Sequence, residues 1–342
     1  MKNTYTLLAA SLMTAGLLVA CGGGSEDATQ DPPAPRQVTI DFGLVAGETA
    51  VSCATESIPG LGTTDATGRL RDARFYVSNV AMISADGVEV PLTLPVNDNW
   101  NVTVGDNRVT LIDLEDRSGA CSVGTTDMNP SLTGTVPAGE YVGVVMTLGV
   151  PLALNHTDQA AGLEVTPAVI NNAAHPGMAW AWAGGRKFAK VELTDVLAAE
   201  PAGTSGKWAA PVFNVHLGST NCTGDNPAAG QVSACAQPNR ATIRFSAFDP
   251  ATQKINLDVR ALMAGNDVTV NRSGPTGCMS GLSDFECTGV FTALQIGFDG
   301  AAAAGATFNG EPLVIGKVGD AANFGLPING GAAQTVFMVA AK

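Results

Sequence analysis

Apolar residues along this chain recur most often at every second position, in short runs separated by turn-forming residues. Val38 to Val45 alternates. Ala73 to Ile83 (ARFYVSNVAMI) and Val88 to Leu94 flank Ala85-Asp86-Gly87, and Val102 to Leu114 repeats the pattern around Gly105-Asp106-Asn107. Tyr141 to Val150 follows Pro137-Ala138-Gly139. Phe188 to Leu193, Val212 to Leu217, Ala241 to Phe248, Lys254 to Leu262 and Phe291 to Phe298 complete the set, with Asp249-Pro250-Ala251-Thr252 as a further turn. Successive side chains of a strand point to opposite faces, so period-two runs bounded by Gly, Asp, Asn and Pro predict half-buried strands joined by hairpins. Helical spacing is scarce; Asp195 to Glu200 offers one turn. The pattern predicts an all-β fold, an antiparallel two-sheet β-sandwich with long loops. The Ala/Gly-rich tail from Gly300 to Lys342 reads as a final hairpin or loosely packed loops.

The N-terminus follows a different logic. Lys2 precedes an apolar run from Leu7 to Ala20 that is too short for a membrane span, and Leu18-Val19-Ala20-Cys21 closes it in the manner of a bacterial lipobox. This predicts a signal peptide over 1–20, a lipid on Cys21, a flexible Gly/Pro/acidic tether over 21–36 and a folded domain over 37–342. Gly22 after the cysteine points to lipid anchoring on the periplasmic side of the outer membrane or at the cell surface. A net charge of −13 argues against nucleic acid and against electrostatic docking on anionic lipid.

Seven cysteines are present. Setting Cys21 aside leaves Cys53, Cys121, Cys222, Cys235, Cys278 and Cys287, an even set that in an exported chain predicts disulfides. Fifteen connectivities are possible; proximity favours Cys222–Cys235 and Cys278–Cys287, leaving Cys53–Cys121 as the long staple. None of the spacings is a zinc-type pair, which argues against a thiolate metal site.

Chemistry concentrates between Asn155 and Phe188. The chain has three histidines and four tryptophans, and this segment holds two of each. Met178, Trp180 and Trp182 alternate with alanines, so an extended segment would present them on one face. An aromatic core stripe would look the same. His175 lies just upstream, before Pro176. His156 follows the strand ending near Val150, with Asp158 placed to orient its ring and Met178 as a further neighbour. His216 stands with Asn214 on the polar face of the predicted strand Val212 to Leu217. Imidazoles without thiolates suit copper, with zinc as competitor.

Several blocks occur together in one order: Ala73-Arg74-Phe75-Tyr76-Val77-Ser78-Asn79-Val80, Leu111 to Asp116 with Cys121 downstream, Gly134 to Tyr141, Leu148-Gly149-Val150-Pro151 with Asn155-His156-Thr157-Asp158, Met178 to Phe188, and His216 to Cys222. In these the chain resembles the MbnP family of methanobactin operons and the wider metallo-mystery pair, four-Cys motif group, from about Val38 to Cys235. The resemblance implies an exported, non-enzymatic copper-binding protein paired with MbnH, a di-haem protein similar to cytochrome c peroxidases. It implies that the partner oxidises a tryptophan to kynurenine, which then helps histidines hold copper. Carried onto this chain, Trp180 or Trp182 is the residue to be modified, and His156, His175 and His216 are the ligands. Two positions depart from the pattern. Ser78 stands where relatives often carry histidine, and Arg186 where an aromatic is usual, a change expected to affect packing.

The competing reading is a cell-surface β-sandwich that binds glycans or proteins, with Trp180 and Trp182 as a stacking platform. No serine–histidine–acid set or Gly-rich phosphate loop points to an enzyme.

Overall fold

The computed structural model describes residues 34–95, 97–156, 168–180, 184–197 and 212–342. The signal peptide, Cys21, most of the tether, Asp158 and Trp182 lie outside the described residues. Ten strands build the frame: β1 (Arg36–Ala46), β2 (Ala66–Ser84), β3 (Asn107–Asp113), β4 (Ser131–Val136), β5 (Tyr141–Leu148), β6 (Ala189–Leu197), β7 (Val212–Leu217), β8 (Ala241–Phe245), β9 (Gln253–Asp258) and β10 (Phe337–Ala341). β1 pairs with β4, with β9 and with the short strand Thr49–Ala50, and β9 pairs with β10. The larger sheet runs β7-β6-β2-β3 and continues to Asn101–Val104, while β5 also pairs with β2 and carries β8. The fold is a β-sandwich of mostly antiparallel strands; β1 and β9 run parallel. Phe42 from the first sheet and Phe337 from its far strand pack edge-on against Phe75 of β2, with ring centroids 5.7 and 5.4 Å apart. These T-shaped contacts close the interior between the sheets.

The nineteen-residue β2 organises the larger sheet. Over Thr67–Phe75 it pairs with β6, and over Val77–Ser84 with β5. The partner changes at Tyr76, whose N–H donates to Phe188 O (2.8 Å) and whose carbonyl accepts from Gly149 N (2.8 Å). The chain therefore leaves the sheet at this one point in two places, after β5 towards His156 and before β6 through Met178–Phe188. The end of β7 arrives beside them, because β7 Leu217 is in register with Ala189 of β6. Topology alone gathers the segments that carry all three histidines.

The expected strands form with shifted ends, and the three disulfides join Cys53–Cys121, Cys222–Cys235 and Cys278–Cys287. Two stretches differ. Lys254 to Leu262 is strand only to Asp258, whose carboxylate caps helix Val259–Met263 by accepting from Arg260 N and Ala261 N. Phe291 to Phe298 is largely the end of helix Cys287–Leu294: Cys287, Val290, Phe291 and Leu294 share one buried helical face, and Gln295 at φ 55° ends it. The segment Asp195 to Leu197 continues β6 rather than starting a helix. The Ala/Gly-rich tail contributes a short hairpin, a strand paired with Phe298–Asp299, and then β10, the edge partner of β9. No helix among the described residues is long and apolar enough to cross a membrane.

Candidate functional site

Strand alternation divides β2 between two environments. Ala73, Phe75 and Val77 face the sandwich interior; Asp72, Arg74 and Tyr76 face the other side of the sheet, yet all are buried. Register extends this polar face. Arg74 stands opposite Asp113 of β3 and Lys190 of β6; Lys190 stands opposite His216 of β7; Asp72 stands opposite Glu192 of β6. The result is a buried chain of charge. Arg74 forks onto both oxygens of Asp72 (2.9 and 2.6 Å), and Lys190 bridges Asp72 and Glu192 (3.0 Å to Glu192). Glu192 Oε1 then meets His216 Nε2 at 2.7 Å. Charges removed from water persist only when paired in this way.

The electrostatics fix the state of His216. Burial favours its neutral form and outweighs the Glu192 carboxylate, so its pKa falls below the usual histidine value. Burial also opposes the Glu192 charge, but the hydrogen bond from His216 and the Lys190 ammonium hold that carboxyl down at about 2. A neutral imidazole facing a carboxylate donates its proton there, which leaves Nδ1 of His216 with the lone pair.

His175 repeats the arrangement from a loop. Its Nε2 lies 2.7 Å from the carbonyl oxygen of Asn99 and donates to it. Burial lowers its pKa, so Nδ1 is an unprotonated lone pair; it is buried and has no hydrogen-bond partner among the described residues. Trp100 packs against the ring at 5.0 Å between centroids.

Trp180 approaches His216 from a separate segment. It does not lie in a strand of the main sheets. Met178–Trp180 folds back on Gly185–Lys187 as a short hairpin, through Trp180 N→Gly185 O (3.0 Å) and Lys187 N→Met178 O (2.9 Å). Met178 is buried and Trp180 half-buried. The Trp180 ring meets His216 edge-on, with centroids 6.5 Å apart. Lys187 Nζ sits 6.0 Å from the ring centre, and burial brings its pKa down to about 8. A Cβ on Gly218 would stand 2.2 Å from Cζ3 of Trp180, so only glycine leaves room for this indole. A cavity of about 420 Å3 opens beside it, lined by Trp180, Ser219, Asn221, Cys222 and Met279 among others.

His156 sits elsewhere. At the end of helix Leu152–Asn155, its Nε2 is 3.0 Å from Asn155 Nδ2 and 3.5 Å from Sγ of the disulfide-bonded Cys235. The three histidines do not converge on one point: among the described residues, no group of three ligand atoms within 4.8 Å contains two of them. Ser78 is buried and contacts Thr147 O at 3.5 Å. Arg186 does more than pack. It is fully buried, donates to Ile170 O (3.0 and 2.6 Å) and Asn155 O (2.7 Å), and ties the hairpin to both histidine-bearing loops. Glu192, Lys190, Lys187, Gly218 and Trp100 escaped the sequence reading; the one available signal was charge alternating with apolar residues in Ala189-Lys190-Val191-Glu192.

The family model for MbnP matches residues 35–280. The chain belongs to the MbnP family. The solved structure of MbnP from Methylosinus trichosporium superimposes with a TM-score of 0.70 at 30% identity, covering 90% of this chain and 99% of that one. None of the functionally curated proteins matches this sequence. The match to the MbnP model includes Trp100, His156, His175, Trp180 and His216, and stops short of helix Cys287–Leu294 and the tail.

Proposed function

We propose that this member of the MbnP family is an exported, lipid-anchored copper protein, whose site is built from His175, His216 and an oxidised Trp180. The observation that carries the reading is the Trp180–His216 pair: an indole edge-on to a neutral histidine whose Nε2–H is committed to a buried carboxylate. Such a carboxylate–histidine arrangement fixes ring and tautomer and raises ligand basicity. His175 offers the same presentation, an Nδ1 lone pair fixed by a carbonyl at Nε2. Two imidazoles and no available thiolate suit copper. His156 is directed to the disulfide and has no part in this set.

Copper, when bound, supplies a redox-active soft acid. The chain supplies the rest. Glu192 and Asn99 hold the two rings, Gly218 admits the indole, Lys187 places a cation near its face, and the adjoining cavity gives reagents access. Oxidation of Trp180 to kynurenine is assigned to a di-haem, peroxidase-like partner of the MbnH kind, acting with peroxide; this protein is its substrate and not an enzyme. The N-terminal lipobox supports anchoring through Cys21, at the periplasmic side of the outer membrane or the cell surface.

Competition titration with a copper chelator tests the ligand set. His175→Ala and His216→Ala should each weaken copper binding at least tenfold, and His156→Ala should leave it near the parent value. Equal binding by all three would remove this assignment.

A further inference from the structure

The Cys222–Cys235 bridge differs from the other two. Cys53, Cys121, Cys278 and Cys287 are buried, whereas Cys222 and Cys235 are each partly exposed, on facing positions of the hairpin Thr220–Thr223/Ala234–Gln237. His156 comes to this bridge from another part of the chain. A ring nitrogen of His156 and the two sulfurs all lie within 4.8 Å of one another.

The tautomer of His156 follows from its neighbours. Arg186 N donates to Asn155 Oδ1 at 2.8 Å, which fixes the amide with Nδ2 towards His156. An amide nitrogen donates, so Nε2 of His156 is the acceptor and carries the lone pair. That atom is already 3.5 Å from Cys235 Sγ. Ligands on a tetrahedral zinc-like centre, with metal–sulfur bonds of about 2.3 Å and metal–nitrogen bonds of about 2.0 Å, stand roughly 3.5–4 Å apart. The nitrogen–sulfur spacing is therefore right before any metal arrives; only the two sulfurs must separate.

We propose that His156, Cys222 and Cys235 form a latent site for a thiophilic d10 cation, Cu⁺ or Zn²⁺, closed by the disulfide and opened by its reduction. A dithiol supplies the two electrons. Its thiolate attacks one sulfur, the Cys222–Cys235 bond breaks, the dithiol departs as a cyclic disulfide, and two cysteine thiols remain. The cation then displaces both thiol protons and takes the Nε2 lone pair, replacing the hydrogen bond from Asn155. Partial exposure makes this bridge the first of the three that a soluble dithiol reaches. The site stands apart from the copper site above, since neither His175, His216 nor Trp180 enters it. Cys222 also lines the cavity beside Trp180, so opening the bridge alters a wall of that cavity.

The test uses the full chain under anaerobic conditions, with limited dithiol and then Co²⁺ as a spectroscopic stand-in for Zn²⁺. Alkylation and peptide mapping should find two thiols, at Cys222 and Cys235, and one Co²⁺ should give thiolate-to-metal charge-transfer absorption absent from the oxidised protein. Cys222→Ser/Cys235→Ser should lose the band, and His156→Ala should bind at least tenfold more weakly. In the dithiol-reduced parent protein, adding Zn²⁺ should shift the ring-nitrogen NMR signals of His156 and not those of His175 or His216, a readout that needs no variant to fold. Reduced protein without the band, thiols appearing first at another bridge, or an unmoved His156 signal would each overturn the proposal.

Discussion

Gly218 and Glu192 show how much of the site depends on residues that hold its members in place. Gly218 is placed where any Cβ meets Trp180 Cζ3 at 2.2 Å and the Arg186 carbonyl at 2.8 Å. Gly218→Ala should push the indole outward and cost about 1–3 kcal/mol, read as a shift in tryptophan emission and a lower denaturation midpoint. Glu192 accepts from His216, so Glu192→Gln keeps the shape but loses the carboxylate. Copper affinity should fall about 10–100-fold in a competition titration, and an unchanged affinity would separate Glu192 from the metal chemistry. At this scale the sequence was half legible. Trp180 and the histidines stand out by scarcity, but placing His216 with Asn214 on the polar face of a half-buried strand missed that His216 itself is buried. Nothing in the residues of β7 alone announces that loops cover it; Lys190 and Glu192, two charges inside an apolar strand, were the available sign.

Between elements, the decisive event is the change of strand partner at Tyr76. It brings together the exits of β5 and β7 and the entry to β6, and Arg186 then ties two of these connections. Arg186 donates to the carbonyls of Ile170 and Asn155 from a fully buried position. Arg186→Met would leave those acceptors unsatisfied and should lower stability by about 3 kcal/mol, measured by chemical denaturation. Strand patterning predicted most of these elements because alternation survives where one face is apolar. It failed at Phe291 to Phe298, where apolar positions at Cys287, Val290, Phe291 and Leu294 fit a helix as well, and where the disulfide-closed Cys278–Cys287 loop sets the helix start. It also treated Met178 to Trp182 as a regular strand. Among the described residues, Met178–Trp180 instead pairs only with Gly185–Lys187, with Gly185 at φ 67° next to Asn155, a conformation that favours glycine.

For the whole molecule, the buried charge array sets a pH dependence. Burial pushes the Asp113 carboxyl up to about 8 despite Arg74 beside it. A carboxyl with a raised folded pKa favours the fold below its ordinary pKa of 3.8, and that contribution is lost as pH rises towards 8. Asp113→Asn removes the titrating group, so the variant should gain stability relative to the parent between pH 4 and pH 8 (about the two ends of that window). Denaturation curves at the two ends read this directly; a constant difference would contradict it. Glu192 acts in the opposite sense. Its pKa is held at about 2, so its contribution is intact above its ordinary value of 4.5 and declines only as pH falls towards 2. The sandwich class, the six-cysteine framework and the family were all legible in the sequence, because they rest on patterns spread over many residues. The separation of His156 from the other histidines was not, since it depends on how loops pack.

On the proposed function, Trp180 must be altered before the site is complete. Peptide mass spectrometry on the full chain before and after reaction with the proposed di-haem partner and peroxide, paired with copper titration of both samples, tests this directly. Conversion of Trp180 to kynurenine is expected, with Trp100 unchanged and tight binding of one copper only in the reacted sample. Every tryptophan unmodified, with copper bound equally in both samples, would contradict it.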